Sequence, residues 1–393
     1  MKKKRLYIYA PNDRFNYGDL LFPYVLRFYF RKYFDDIVYV STSESDLSNL
    51  GGIPTVGYKA LYETDESWVN HLIVAGGESL CVRWNTILSY VKPWVYVTSR
   101  MVWKLRRIFG ERVFDFFEKI IATVCGTKTY FAFSVGKNEL PKFQSIVYNA
   151  VGGSRLLESN ILQSKKVQKI LSSVDVLSVR DDDTSIALTQ YNINNCICPD
   201  TAIIMSDVFS EQELRNHLSI NLQDFNDDYI FFQGNIETWK GKSDLAAKQV
   251  EELHKKTGAK ICLCPIGTAL GHGDDVALRH ISEEIHDKKS YMMVTDPNLY
   301  DIMWLIKHSK KYIGTSLHGV ITAMSFGVPF VGYGSKKQKV FITKWAKGDS
   351  HIAMPETFAK VAEKNQLGMD YSDLKELVYK MFSRYLRLYT NYD

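Results

Sequence analysis

Six short polar stretches hold the residue types from which an acid, a base and an anion cradle can be built. They are Asn16-Tyr17-Gly18-Asp19, Gly76-Gly77-Glu78-Ser79, Arg180-Asp181, Gln233-Gly234-Asn235, His272-Gly273-Asp274-Asp275 and Thr315-Ser316-Leu317-His318-Gly319. The last is the richest. Thr315 and Ser316 are natural helix N-caps, and Val320, Ile321, Met324 and Ser325 recur at helical spacing up to Gly327. A helix starting there offers the N–H groups of Leu317 to Gly319 and a positive dipole end to a phosphate or carboxylate. His318 sits at that end, and histidine titrates near neutrality, so it can serve as an acid. Asp19 and Glu78 could orient or deprotonate a hydroxyl, and a guanidinium such as Arg180 can grip an anion with two parallel N–H bonds. Taken singly, each stretch also has an ordinary reading: a turn, a surface ion pair, a cap.

What would bring them together is the order of the elements around them. Strands are expected at Leu6 to Ala10, Ile37 to Val40, His71 to Ala75, Phe131 to Gly136 and Val174 to Val179, with a helix over Leu20 to Tyr33. The second half repeats this alternation. Strands are expected at Tyr229 to Gln233, Ala259 to Pro265, Tyr291 to Val294, Tyr312 to Gly314 and Val328 to Tyr333. Helices are expected at Lys242 to Thr257, Val276 to Asp287 and Leu299 to Lys307. Such alternation implies an α/β chain of two Rossmann-like domains facing a cleft, in which the loops after the strands gather polar residues. The expected bounds are 1–198 and 199–370, with residues 371–393 forming a helix that packs back on the first domain.

At 393 residues, 46% of them hydrophobic and 24% charged, the chain can bury two cores. A net charge of +5 without a dense basic block argues against nucleic acid. The start MKKKR lacks the apolar core of a signal peptide and no run is long enough to span a bilayer, so the expected compartment is cytoplasmic. The cysteine pairs Cys196-x-Cys198 and Cys262-x-Cys264 lack the spacing of zinc knuckles and are expected as buried thiols, with no metal. Val91 to Phe117 is rich in Trp, Phe, Arg and Lys. It reads either as a core helix with a basic outer face or as an interfacial helix making peripheral contact at the inner face of a membrane.

The chain resembles the polysaccharide pyruvyl transferase family through NYGDLL, GGES, LSVRDDDTSIAL, CPDTA, CPIGTALGHGDD and GTSLHGVITAMSFGVPFVGY followed by Lys339, over roughly Pro11 to Trp345. The resemblance implies a fold like that of GT-B glycosyltransferases, with the acceptor on the first domain and the donor on the second. The implied reaction moves the enolpyruvyl-derived group of phosphoenolpyruvate to a sugar of a surface polysaccharide or its lipid-linked precursor, as a cyclic ketal. Phosphoenolpyruvate is then the donor substrate, and no cofactor or metal is needed. It also implies that His318 is the general acid, that Arg180 holds the donor's anionic group and that Lys339 assists the phosphate. Asn16, Gly77, Glu78, Asn235, His272 and the 315–319 loop would complete the lining. Many members carry an arginine where this chain has Ser316, which leaves Lys336, Lys337 or Lys339 to supply the missing charge. Two other readings fit the same fold. One is a glycosyltransferase using a nucleotide sugar, with Glu356 as the residue available for ribose hydroxyls; the other is a non-catalytic glycan-binding member.

Overall fold

The apolar runs pair side by side into two parallel sheets in the computed structural model of the protein. It describes residues 2–109, 116, 120, 123–124, 131–221, 225, 228–270, 272–347, 351–364 and 368–390; side chains 102–109 and 390 are outside the description. The first sheet has the order β3-β2-β1-β4-β5-β6-β7. Its strands are β1 (Lys4–Tyr9), β2 (Asp36–Ser41), β3 (Val56–Gly57), β4 (Val69–Ala75), β5 (Phe143–Val151), β6 (Val176–Val179) and β7 (Cys196–Ile197). The second has the order β10-β9-β8-β11-β12-β13. Its strands are β8 (Tyr229–Gln233), β9 (Lys260–Leu263), β10 (Tyr291–Met293), β11 (Tyr312–Gly314), β12 (Phe330–Tyr333) and β13 (Ile352–Ala353).

Both sheets are covered on two faces, which is why their central strands are apolar without alternation. In β1, Leu6 and Ile8 enter one core while Tyr7 and Tyr9 enter another. The strand order reverses between β1 and β4 in the first sheet and between β8 and β11 in the second. Connections leave in opposite directions at such a point, so a crevice opens beyond the strand ends. The two crevices face each other. Tyr17 N–H donates to Ile266 O at 3.1 Å, and Asn16 bridges to Gly267.

One expected strand is absent. Phe131 makes an isolated bridge to Arg83, and the segment then bends rather than extends. Its polar backbone is satisfied by a side chain instead of a neighbour: the Tyr148 hydroxyl accepts from Val135 N–H at 2.7 Å and donates to a carbonyl of the same segment. The place beside β4 is taken by β5, a strand with Ser145 and Asn149 inside its apolar run. Both polar residues are paired, Ser145 with His71 Nδ1 at 2.8 Å and Asn149 with Thr201 at 2.9 Å. The first helix starts at Tyr17, three residues earlier than expected, and a 3-10 turn at Arg31–Tyr33 ends it.

The final helix, Ser372–Thr390, returns to the first sheet. Phe382 meets Phe30 at 5.3 Å, Tyr389 meets His71 at 4.7 Å, and the Tyr385 hydroxyl lies 2.6 Å from Ser178 Oγ. Rings buried this completely stabilise by about 1.5–3 kcal/mol each, which fixes the chain's end across both halves. Cys81, Cys198, Cys262 and Cys264 are buried free thiols and Cys196 is half-buried; Cys125 lies outside the described residues. Among the described residues no helix is long and apolar enough to cross a membrane.

Candidate active site

The loop after β11 turns into the helix Leu317–Ser325 because Ser316 caps it, its Oγ accepting from Gly319 N–H at 3.3 Å. A buried amide, Gln233 at the end of β8, fixes the turn. Its Oε1 accepts from Thr315 N–H at 2.9 Å, Thr315 Oγ1 at 3.2 Å and Ser316 N–H at 3.0 Å, while its Nε2 donates to Asp274 at 2.9 Å. Asp274 also accepts from Ile266 and Gly267 N–H, and burial pushes its carboxyl up to about 7. Thr315 and Ser316 are therefore scaffold, and the N–H groups left at the helix start are those of Leu317 and His318, which have no carbonyl four residues back. Gly319 lies against Tyr312, whose hydroxyl occupies the space a Cβ would need. Asn235 is likewise scaffold: its side chain caps the helix Ile236–Trp239 by accepting from Thr238 N–H at 2.9 Å.

His318 projects from this turn into the first half of the chain. Its Nδ1 edge lies on the backbone of Gly18, where a Cβ would come within 1.8 Å of Nδ1. Glycine is therefore required at position 18 by close approach. Phe22, one helical turn on, meets the ring edge to face at 5.5 Å. On the other edge Nε2 is 3.5 Å from Asp200 Oδ2 and makes no aligned hydrogen bond.

Asp200 joins the halves electrically. It is fully buried just after β7, accepts from Ala202 N–H at 3.1 Å, and takes a 2.8 Å bond from Arg180. Burial alone would raise its pKa, but His318, Arg180 and the Ala202 N–H outweigh it and hold the carboxyl at about 2. Arg180 is itself buried, and its other arm reaches Glu78 at 3.4 Å. Glu78 accepts from Ser154 N–H at 2.7 Å, and although burial would raise its pKa, Arg180 and Lys337 hold it below the usual range. Arg180, expected to hold the donor's anionic group, braces two carboxylates here, Asp200 and Glu78.

A second ion cluster lies beside the first. Arg14 binds Asp13 at 2.9 Å and Asp19 at 3.3 Å. Burial raises the Asp19 pKa, opposed by Arg14, His318 and Lys337. Gly77 turns with φ +67°, so that its missing side chain leaves room for Asp19 Oδ1. Arg14 also lies 5.3 Å above Tyr90, whose other neighbour is His272, stacked at 5.4 Å. His272 stands 3.4 Å from the Asn16 amide, and burial, with help from Arg14 and Lys337, lowers its pKa to about 4. Asn16 and His272 therefore clasp the halves together as a neutral pair.

Lys337, on the helix Lys336–Trp345, is the cation that faces this cleft. It is exposed by area yet ringed by protein: burial lowers its pKa, Glu78 and Asp19 oppose that, and Arg180 and Arg155 add to it. Its neighbour Gln338 donates to Gly314 O at 2.9 Å and Ser316 O at 3.0 Å, which fastens this helix to the histidine turn. Lys336 is drawn away to Glu158 at 2.5 Å. Lys339, expected to assist the phosphate, is exposed on the same helix. Glu356 is exposed too, paired with Lys242 at 3.2 Å.

Reading residue types missed Asp200, Arg14 and Asn12. Asp200 was visible as the acid of Cys-Pro-Asp-Thr-Ala at a strand end, yet its role depends on two partners far away in sequence. Asn12 is buried with both amide atoms lacking a protein partner among the described residues, as are Ser79 Oγ and Arg14 Nε. Asn12 and Ser79 follow the neighbouring strands β1 and β4, and unpaired groups in such loops suit a hydroxyl-bearing ligand.

Two Rossmann-like halves whose switch points face each other form a GT-B architecture. Solved structures agree on the fold. The chain is similar to UDP-GlcNAc 2-epimerase of Methanocaldococcus jannaschii, in complex with UDP-GlcNAc and UDP, at 12% identity and TM-score 0.53, over 97% of this chain and 99% of that one. It is similar also to UDP-GlcNAc 2-epimerase from Neisseria meningitidis bound to UDP-GlcNAc, at 11% identity and TM-score 0.52, over 98% and 100%. No curated protein matches the chain. The chain belongs to the polysaccharide pyruvyl transferase family, whose model matches residues 16–337.

Proposed function

We propose that the protein transfers the pyruvyl unit of phosphoenolpyruvate to two hydroxyls of a sugar in a surface polysaccharide or its precursor, forming a ketal. The observation that carries this reading is the line His318–Asp200–Arg180–Glu78, with Lys337 facing it across the cleft. An enol phosphate needs a proton on its methylene carbon, and that role is assigned to His318, whose ring Asp200 orients at 3.5 Å. The carbon that bore the phosphate becomes cationic, and one sugar hydroxyl adds to it. Phosphate then leaves as the second hydroxyl closes the ring. Two hydroxyl protons are released: one restores His318 and the other departs with phosphate, so the cycle balances. Asp19, its pKa raised by burial, suits the base that takes the first and passes it on to restore His318.

The leaving phosphate is assigned to Lys337 and to the N–H groups of Leu317 and His318, which together replace the arginine that Ser316 lacks. The sugar is assigned to the unpaired groups of Asn12 and Ser79. The test is a mass spectrum of candidate acceptor sugars after incubation with phosphoenolpyruvate or, separately, a UDP-sugar. A gain of pyruvate less one water, with phosphate released, supports the reading. A gain of a hexose unit from the UDP-sugar would replace it with glycosyl transfer.

A further inference from the structure

We infer that the helix Pro93–Phe109 and the helical residues beyond it dock the protein on an anionic bilayer. This rests on exposure and charge, not on the chemistry of the cleft. Val95 is fully buried and Ser99 bonds to Asn85, so one side of this helix is anchored on the helix Trp84–Ser89. The opposite side presents Trp94, Val97 and Met101, exposed by 55%, 57% and 62%. Their spacing of three and four puts them in one stripe. Phe116, Ile120 and Val124, four apart and helical, are exposed as well. The stripe of Trp94, Val97 and Met101 left in water is an apolar surface that needs a cover.

Charge selects the cover. From Ser79 to Gly110 the sequence contains Arg83, Lys92, Arg100, Lys104, Arg106 and Arg107 and no Asp or Glu; Glu111, Asp115 and Glu118 follow, against Arg112 and Lys119, and the stretch to Val124 stays net positive. A second copy of the same face would bring like charges together, whereas acidic lipid headgroups attract them while the acyl boundary takes the indole and aliphatic groups. The side chains of 102–109 lie outside the described residues and enter here through the sequence alone. Position favours the same surface. Tyr90, three residues before Pro93, is stacked on His272 at the junction of the halves. A protein lying on this helix would hold its cleft beside the headgroups, where a lipid-borne acceptor would be met.

The experiment is sedimentation of the full chain with phosphatidylcholine vesicles, with and without phosphatidylglycerol, over a salt series. Wild type is expected to sediment with the anionic vesicles alone and to be released as salt rises. Binding should weaken at least about tenfold both in Trp94→Ser/Val97→Ser/Met101→Ser and in Lys104→Glu/Arg106→Glu/Arg107→Glu. The single Met101→Ser, with circular dichroism on all variants, provides the apolar comparison should a triple variant lose its fold. Failure of wild type to bind anionic vesicles at low salt overturns the proposal. So does binding unchanged in every folded apolar variant, or a wild-type dimer that the apolar substitutions dissolve.

Discussion

The two ends that meet in the cleft are built from different materials. The first sheet supplies charge in two clusters, Arg14 with Asp13 and Asp19, and Arg180 with Glu78 and Asp200. The second supplies a frame of amides, in which Gln233 and Gln338 hold the backbone of the 314–316 turn, while His318 and Lys337 face the carboxylates of the first. The difference has a physical cause. Buried charges must compensate one another, so the cations of the first half are consumed by its own carboxylates. A substrate anion must find its cation across the cleft, on a helix start and a lysine that water still reaches.

Asp200→Asn should break this division most severely. It leaves Arg180 with Glu78 alone and removes the charge beside His318, so turnover should fall by about three powers of ten. Removing one partner of a buried pair also costs about 3–5 kcal/mol, measurable by urea unfolding. A variant as active as wild type would separate the two halves electrically.

Gly18→Ala puts a methyl where His318 Nδ1 lies. We expect about a hundredfold loss of turnover with little loss of stability, since alanine gains about 1 kcal/mol of helix propensity in return. Equal losses of fold and turnover would show that the contact is only packing.

The two lysines sharpen the comparison further. Lys337→Ala should weaken phosphoenolpyruvate binding by one to two powers of ten, as expected for loss of a charge-assisted contact worth about 1.5–3 kcal/mol, and Lys339→Ala should leave it unchanged. The reverse order would restore the phosphate to Lys339.

The smallest effect concerns pH. His272 is held near 4 in the folded chain, below the usual histidine value of about 6.5. Its neutral form therefore contributes stability present above 6.5 and lost as pH falls toward 4, because the unfolded chain takes up the proton first. His71, also lowered to about 4 by burial, acts in the same window. His272→Phe keeps the stack on Tyr90 and should remove about half of that slope in unfolding free energy. An unchanged slope would mean that His272 already titrates with solvent.

Much of the frame was legible because parallel strands buried on both faces write uninterrupted apolar runs; β8 and the helix Leu299–Lys307 lie where the runs place them. What was lost was lost to side chains acting as backbone partners. Tyr148 satisfies the 133–135 segment and so removes a strand, and paired Ser145 and Asn149 disguise another. In the site, His318 could be read from its turn, but the employment of Arg180 could not. A fork that grips a ligand and one that braces Asp200 and Glu78 have the same sequence, and the difference lies in contacts 20 and 102 residues apart.

The account stands most directly on calorimetric titration of phosphoenolpyruvate into wild type and His318→Ala, with ketal formation followed in parallel. It predicts binding to both proteins within a few-fold, because an acid acts on the transition state more than on the ground state, and turnover by wild type alone. No binding of phosphoenolpyruvate to wild type, with or without a sugar acceptor, would contradict it.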